Sequence, residues 1–330
     1  MNPTETATRP RRGLSRRHLL AGTGGLAAMA ALAACGGGGG GGGGAAEGPT
    51  RTIQGADGPV QIPVDPQRVV CIDFYTTYAL LDVAYTPVAT AESTIGGVWP
   101  PYEQTYEGIP KVGQPTQLNF EVIAAQNPDL ILGTKVPTMA ENLAERLSPI
   151  APWVLFEAGS NPGSWKERAI ATADAVNRRP AAERLAADYA AHAQRIREQY
   201  APTLERTRWG LVRGVSGGAF FSDYPTSWSG VVLADAGFRF GQFAEGKTGA
   251  GGRLSYEQAT QLDDCDVLLH LVGEDGQPDA NTAALLAQPA FQQVRAVREG
   301  RLFPLPNYYT THYRQGDDVL SYLETLLPRV

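Results

Sequence analysis

Histidine and cysteine are scarce in this 330-residue chain, with four and three copies, and positive charge is in deficit, with 28 Lys and Arg against 34 Asp and Glu. Only His192, His270 and His312 lie beyond the first 34 residues, too few for the histidine-rich clusters that hold zinc or manganese. Cys71 and Cys265 each sit in an apolar run that reads as a strand or its edge, in opposite halves of the chain, so they read as buried free thiols rather than a bridge. The acidic balance excludes nucleic acid as a partner. Beyond residue 34 no stretch approaches the roughly 18 uninterrupted apolar residues of a membrane-spanning helix. What is plentiful is core material: 43% of residues are hydrophobic and 19% charged, enough for one large core or two modest ones.

The first 34 residues have the order of an export signal. Arg9, Arg11, Arg12, Arg16 and Arg17 precede an apolar stretch at residues 19–34 that ends in small residues. Gly22, Gly24 and Gly25 interrupt it, which makes it a poor spanning helix. Ser15-Arg16-Arg17-His18-Leu19-Leu20 resembles a twin-arginine export signal. Leu32-Ala33-Ala34-Cys35 resembles a lipobox, in which Cys35 is lipidated and becomes the new N-terminus. The expectation is an exported protein, lipid-anchored at the outer face of the cytoplasmic membrane through Cys35. Removing residues 1–34 takes away five Arg and one Glu and leaves 23 basic against 33 acidic side chains, a net charge of −10. Residues 36–44 are all glycine and cannot offset their ordering entropy by burial. Residues 35–50 therefore read as a tether spanning roughly 20 to 25 Å.

Residues 51–64 read as a hairpin turning at Ala56-Asp57-Gly58. Strands and helices then alternate: strand 68–73, helix 77–83, strand 87–90, a helix over 120–126 capped by Asn119, strand 130–133, helix 139–147 and strand 153–156. Ser164-Trp165-Lys166-Glu167 has the form of a capping box opening a helix to about residue 176. Pro180 starts the longest helix, 181–200, with Leu185, Tyr189, Ala193 and Ile196 at helical spacing. Alternation resumes with strand 209–215, helix 229–236, a helix capped by Ser255, strand 267–272, helix 281–286, strand 301–305 and helix 317–326. The pattern predicts an α/β fold of two lobes joined by one long helix, with a ligand cleft between the lobes. The N-terminal lobe is residues 51–163, the interlobe helical segment 164–202 and the C-terminal lobe 203–330. A single long connecting helix should restrict lobe closure.

Two helix starts match across the halves. Asn119-Phe120-Glu121-Val122-Ile123 precedes Pro128-Asp129-Leu130-Ile131-Leu132, and Ser255-Tyr256-Glu257-Gln258 precedes Asp266-Val267-Leu268-Leu269. Stabilisation of a first-turn carboxylate by the helix dipole, about 0.3 to 1 kcal/mol, accounts for each glutamate alone. Together with Val112-Gly113 and with Ala296-Val297-Arg298-Glu299-Gly300-Arg301-Leu302-Phe303, however, these segments resemble the signature of the periplasmic binding proteins that serve iron-siderophore, haem and cobalamin ABC importers. The resemblance covers about residues 51–330. It implies a monomeric, non-enzymatic lipoprotein that needs no cofactor, takes a ferric siderophore as ligand and works with an ABC permease and its ATPase. It also implies that Glu121 and Glu257 dock the lobes on permease arginines, a geometry in which rim charges set steering and register.

Ligand-contact candidates fall just past the strand ends: Tyr75, Lys135, Arg213, Trp228 and Arg253, with Trp99 in an earlier loop. The densest group is Asn307-Tyr308-Tyr309-Thr310-Thr311-His312-Tyr313-Arg314, from which Tyr308, Tyr309, His312 and Arg314 are candidates. Rings pack on an apolar chelate and cations neutralise its oxygens. The resemblance places Tyr308 on the cleft wall and leaves no direct metal ligand, the siderophore holding the iron itself, with His312 or Tyr308 as the side chains able to complete its coordination. Gln114-Pro115-Thr116-Gln117 lacks the arginine that hydroxamate binders of this type often carry, and no set of three cleft arginines for a tris-catecholate is evident, so the chelate class stays open. Haem or cobalamin is the alternative ligand. A remote alternative is a serine esterase, because Gly214-Val215-Ser216-Gly217-Gly218 fits the G-x-S-x-G pattern. Ala219-Phe220-Phe221-Ser222 reads as a strand where an elbow needs a helix, so a glycine hairpin is expected there.

Overall fold

The computed structural model describes residues 48–93, 97–136, 139–159 and 161–330. The export signal, Cys35 and most of the tether lie outside the described residues. Strands β1 (Thr50–Gly55) and β2 (Gly58–Pro63) form the expected hairpin, with Gly58 at φ +118° where a side chain would be strained.

In the first lobe, β3 (Val69–Cys71) is followed by α1 (Phe74–Asp82), then β4 (Ala89–Thr90), α2 (Phe120–Ala125), β5 (Leu130–Lys135) and β6 (Trp153–Glu157). The four sheet strands lie parallel in the order β4-β3-β5-β6. Helix α1 begins three residues earlier than its apolar pattern suggests, because Asp73 caps it: the carboxylate accepts from Thr76 N at 2.8 Å. Asn119 caps α2 as expected, accepting from Val122 N at 3.1 Å.

Helix α3 (Trp165–Ala175) follows a 3-10 turn at Pro162–Ser164, and the Ser164 side chain makes no cap bond, so the capping box expected there does not form. Helix α4 (Arg179–Gln199) is the long one; Ala182, Tyr189, Ala193 and Ile196 make its single buried stripe. The second lobe contains β7 (Arg208–Val215), β8 (Ala219–Asp223), α5 (Gly230–Asp235), β9 (Arg239–Phe240), β10 (Gly251–Ser255), β11 (Val267–Leu271), α6 (Ala280–Leu286), β12 (Leu302–Leu305) and α7 (Tyr313–Leu326). Its six-stranded sheet has the order β10-β8-β7-β11-β12, with β9 pairing β7. Strands β7, β9, β11 and β12 are parallel, and β8 is antiparallel to both neighbours.

Residues 214–218 form the β7–β8 hairpin, Val215 opposite Ala219, with Gly217 and Gly218 at positive φ. No helix follows Ser216, so the esterase pattern is a turn. Ser255 does form a capping box with Gln258, although the segment it opens, Tyr256–Leu262, is a 3-10 helix. Cys71, in β3, and Cys265, in the turn before β11, are free and buried, and burial pushes both thiols up to about 12. The two sheets belong to one compact unit.

Candidate functional site

The parallel strands of the first lobe deliver their carboxyl ends to one place, where ligands of open α/β sheets characteristically bind. Past β3 lies Tyr75, at the end of β5 lie Thr134 and Val136, and past β6 lie Ala158, Gly159, Asn161 and Pro162. With Arg168 from α3 and Trp228 from the second lobe they line a cavity of about 290 Å³. Arg168 is only 7% exposed. Its guanidinium lies 4.7 Å from the centre of the Tyr75 ring, and Nη1 donates to the Ala158 carbonyl at 3.3 Å. Burial pulls the Arg168 guanidinium down, and Asp73 works against that pull.

A second wall stands behind Trp228. The Tyr309 ring meets Trp228 edge-on at 4.9 Å, and Arg213 sits 5.5 Å from the Trp228 ring and 4.3 Å from Phe221. Arg213 Nε lies 3.1 Å from both oxygens of Asp223, which is fully buried. Burial pushes the Asp223 carboxyl up to about 6 although Arg213 pulls it down. Tyr308 is buried beside this pair. Burial first, and then the neighbouring Asp223 carboxylate, raise its phenol well above the ordinary value.

Two of the sequence candidates, Tyr75 and Trp228, thus line this cavity, and Arg213 and Tyr309 pack against Trp228. The others separate from it. Side chains of a strand alternate between faces: Thr134 and Val136 face the cavity, whereas Lys135 points the other way and pairs with Asp57 of the hairpin turn. Arg253 is exposed and donates to the Ser216 carbonyl at 3.0 Å. Helix α7 starts four residues before the expected position, which puts His312 at its N-cap position and Arg314 in its first turn.

His312 is fully buried. Its Nδ1 lies 2.9 Å from Asp82 Oδ1 at the end of α1, and its ring is enclosed by Trp99 at 5.0 Å and by Tyr78 and Tyr102, each at 5.5 Å. The Tyr102 hydroxyl donates to Asp82 at 2.5 Å and the Arg314 backbone N–H at 3.3 Å. Arg314's exposed side chain ends 4.0 Å from the same carboxylate. Trp99 and His312 are therefore part of a closed contact between the lobes. Between that contact and the open cavity, residues from both lobes, among them Phe74, Tyr308 and Tyr309, line a space of only about 20 Å³.

Sequence reasoning missed Arg168, Asp82 and Asp223. Asp82 had a signal, an acid inside the apolar run Ala79-Leu80-Leu81-Asp82-Val83; Arg168, inside an ordinary helical pattern, had none. Glu121 and Glu257 are both exposed, one on each lobe, and neither is in an ion pair among the described residues. Among those residues no group of three or more His, Cys, Asp and Glu side chains is arranged to hold a metal ion, and no helix is long and apolar enough to cross a membrane.

Two lobes with a ring-lined cavity at their strand ends define a binding protein for a small ligand. Residues 69–309 match the family model described as periplasmic binding protein, and the chain belongs to that family of substrate-binding transport proteins. It is 33% identical over 192 residues to the probable siderophore-binding lipoprotein YfiY of Bacillus subtilis, a match spanning 58% of this chain and 57% of that protein. It is 24% identical over 253 residues to the achromobactin-binding periplasmic protein of Dickeya dadantii, across 72% of this chain and 78% of that one. The siderophore periplasmic binding protein from the fuscachelin gene cluster of Thermobifida fusca superposes with a TM-score of 0.71 at 29% identity, covering 82% of this chain and 99% of the other.

Proposed function

We propose that this chain is the extracytoplasmic substrate-binding lipoprotein of an ABC importer, which captures a ferric siderophore between its lobes and hands it to the permease and its ATPase. The observation that carries the reading is the cavity itself: a buried guanidinium stacked on Tyr75 and facing Trp228 gives a chelate both a ring wall and a cation. The relatives named for siderophore binding support it. Export by the twin-arginine route, the lipid on Cys35 and action as a monomer belong to the same proposal. Glu121 and Glu257, exposed on opposite lobes, are its permease-docking groups.

Titration of the purified protein with ferric siderophores, haemin and cobalamin, followed by absorbance, tests the ligand. Saturable binding of haemin or cobalamin alone would replace this reading. The docking role predicts that Glu121→Ala combined with Glu257→Ala leaves siderophore affinity within about twofold of the parent and abolishes cellular uptake; undiminished uptake removes these two residues from docking.

A further inference from the structure

Arg168 is a buried cation in the cavity wall without an acid in contact with it. Among the described residues its guanidinium makes one hydrogen bond, from Nη1 to the Ala158 carbonyl at 3.3 Å, and no ion pair. It is nonetheless only 7% exposed and lies over the Tyr75 ring. The acid that bears on it most is Asp73. That carboxyl does not line the cavity, commits its oxygens to Thr76 N, Thr76 Oγ1 and Thr134 N, and is itself pushed up by burial. Glu167, the other acid near Arg168, is exposed, where solvent and salt screen it. Arg213 stands behind Trp228 and is already tied to Asp223, and the rest of the lining, from Tyr75 to Trp228, brings no formal charge. A guanidinium stays protonated even where burial works against it. Holding it out of water without a partner is unfavourable, and an anion entering the cavity would relieve that strain on the fold.

We propose that Arg168 selects the charge of the ligand: its planar fork takes a pair of ionised oxygens on the chelate, and the site is matched to a ferric chelate of about one net negative charge. The assignment rests on the siderophore reading and narrows it. An uncharged chelate would cover Arg168 further from water and give it no counter-charge. A trianion would bring charges for which the cavity lining holds no second cation. Paired oxygens on a single ionised arm fit the fork, and the Tyr75 ring against the guanidinium restricts the plane in which the fork can meet them.

The test compares two ferric complexes built on the same tripodal scaffold. A trihydroxamate gives an uncharged complex, and its analogue with one arm exchanged for a catecholate gives a complex with a single negative charge. Each is titrated into the full chain at neutral pH and followed by quenching of tryptophan fluorescence. The anionic complex should bind more tightly by about tenfold or more. Equal or weaker binding of the anion by the parent protein overturns the proposal, whether or not any variant folds. Arg168→Gln should lower the ratio of the two affinities by about tenfold, and Arg168→Lys, which keeps the charge and loses the fork, should keep part of it. A ratio unchanged by Arg168→Gln overturns the proposal as well. If the parent binds neither complex but binds haemin, the siderophore reading falls separately. The role of Arg168 is then read on the haemin propionates, and stands if Arg168→Gln weakens haemin binding about tenfold and falls if it does not.

Discussion

The open cavity and the closed contact between the lobes are assembled from the same kinds of side chain: tyrosines, a tryptophan, a basic group and a buried aspartate. In the contact, Asp82 takes up His312, the Tyr102 hydroxyl and the Arg314 backbone N–H, and the rings of Tyr78, Trp99 and Tyr102 enclose His312. In the cavity, Arg168 lies over the Tyr75 ring, and both line with Trp228 a space of about 290 Å³. A buried carboxylate shared by three partners and closed in by rings makes the first a structural joint. Space left beside a cation and two rings makes the second the proposed receptor.

The largest effect should come from breaking the joint. Asp82→Ala leaves His312 and the Tyr102 hydroxyl buried without their shared acceptor, which costs about 3 to 5 kcal/mol of folding free energy. Urea unfolding measures it, and ligand affinity of the folded variant should be affected far less than stability. A loss below about 1 kcal/mol would put the contact among surface-like pairs and erase the contrast with the cavity.

Acidity should separate the two regions next. Burial pushes Asp82 up, but the neighbouring His312, with hydrogen bonds from His312, Tyr102 and the Arg314 backbone, outweighs it, and the carboxyl ends below its ordinary value. Its stabilisation is present above the unfolded value of about 3.9 and is lost as pH falls through the lower folded value. Asp223 is the opposite case, held at about 6 in the folded chain. Between about pH 4 and pH 6 the unfolded chain ionises first, so stability falls as pH rises, by something on the order of 3 kcal/mol. Asp223→Asn should flatten that decline and keep the acid loss, while Asp82→Asn should do the reverse. Unfolding curves across this range that change alike in both variants would break the distinction.

Much of this architecture was legible in the sequence because its signals are local. Asn119, Ser255 and Pro180 mark helix starts within a few residues of where they act, and the Ala56-Asp57-Gly58 turn fixes its own hairpin. The division of the aromatic and basic candidates was not legible. His312 meets an acid 230 positions away, and nothing near His312 in the chain announces that partner. Trp99 and Trp228 each follow a strand in a polar loop, and only the packing of the lobes decides that one seals a joint and the other faces a cavity. The Ser164 box failed for a related reason: a 3-10 turn occupies the residues that should have formed it.

The smallest expected effect concerns Lys135, one residue from the cavity lining on either side. Strand alternation sends its side chain to the outer face, where 48% of it remains exposed beside Asp57. An exposed pair of this kind contributes little once side-chain entropy and screening are counted. Lys135→Ala should therefore leave unfolding midpoints nearly unchanged, and should change siderophore affinity by less than about twofold. Neighbouring Val136, which does face the space, should be sensitive to a new charge. If Lys135→Ala instead weakens binding about tenfold, the ligand reaches over the end of β5 toward the hairpin, and the receptor surface is wider than the cavity between Tyr75 and Trp228.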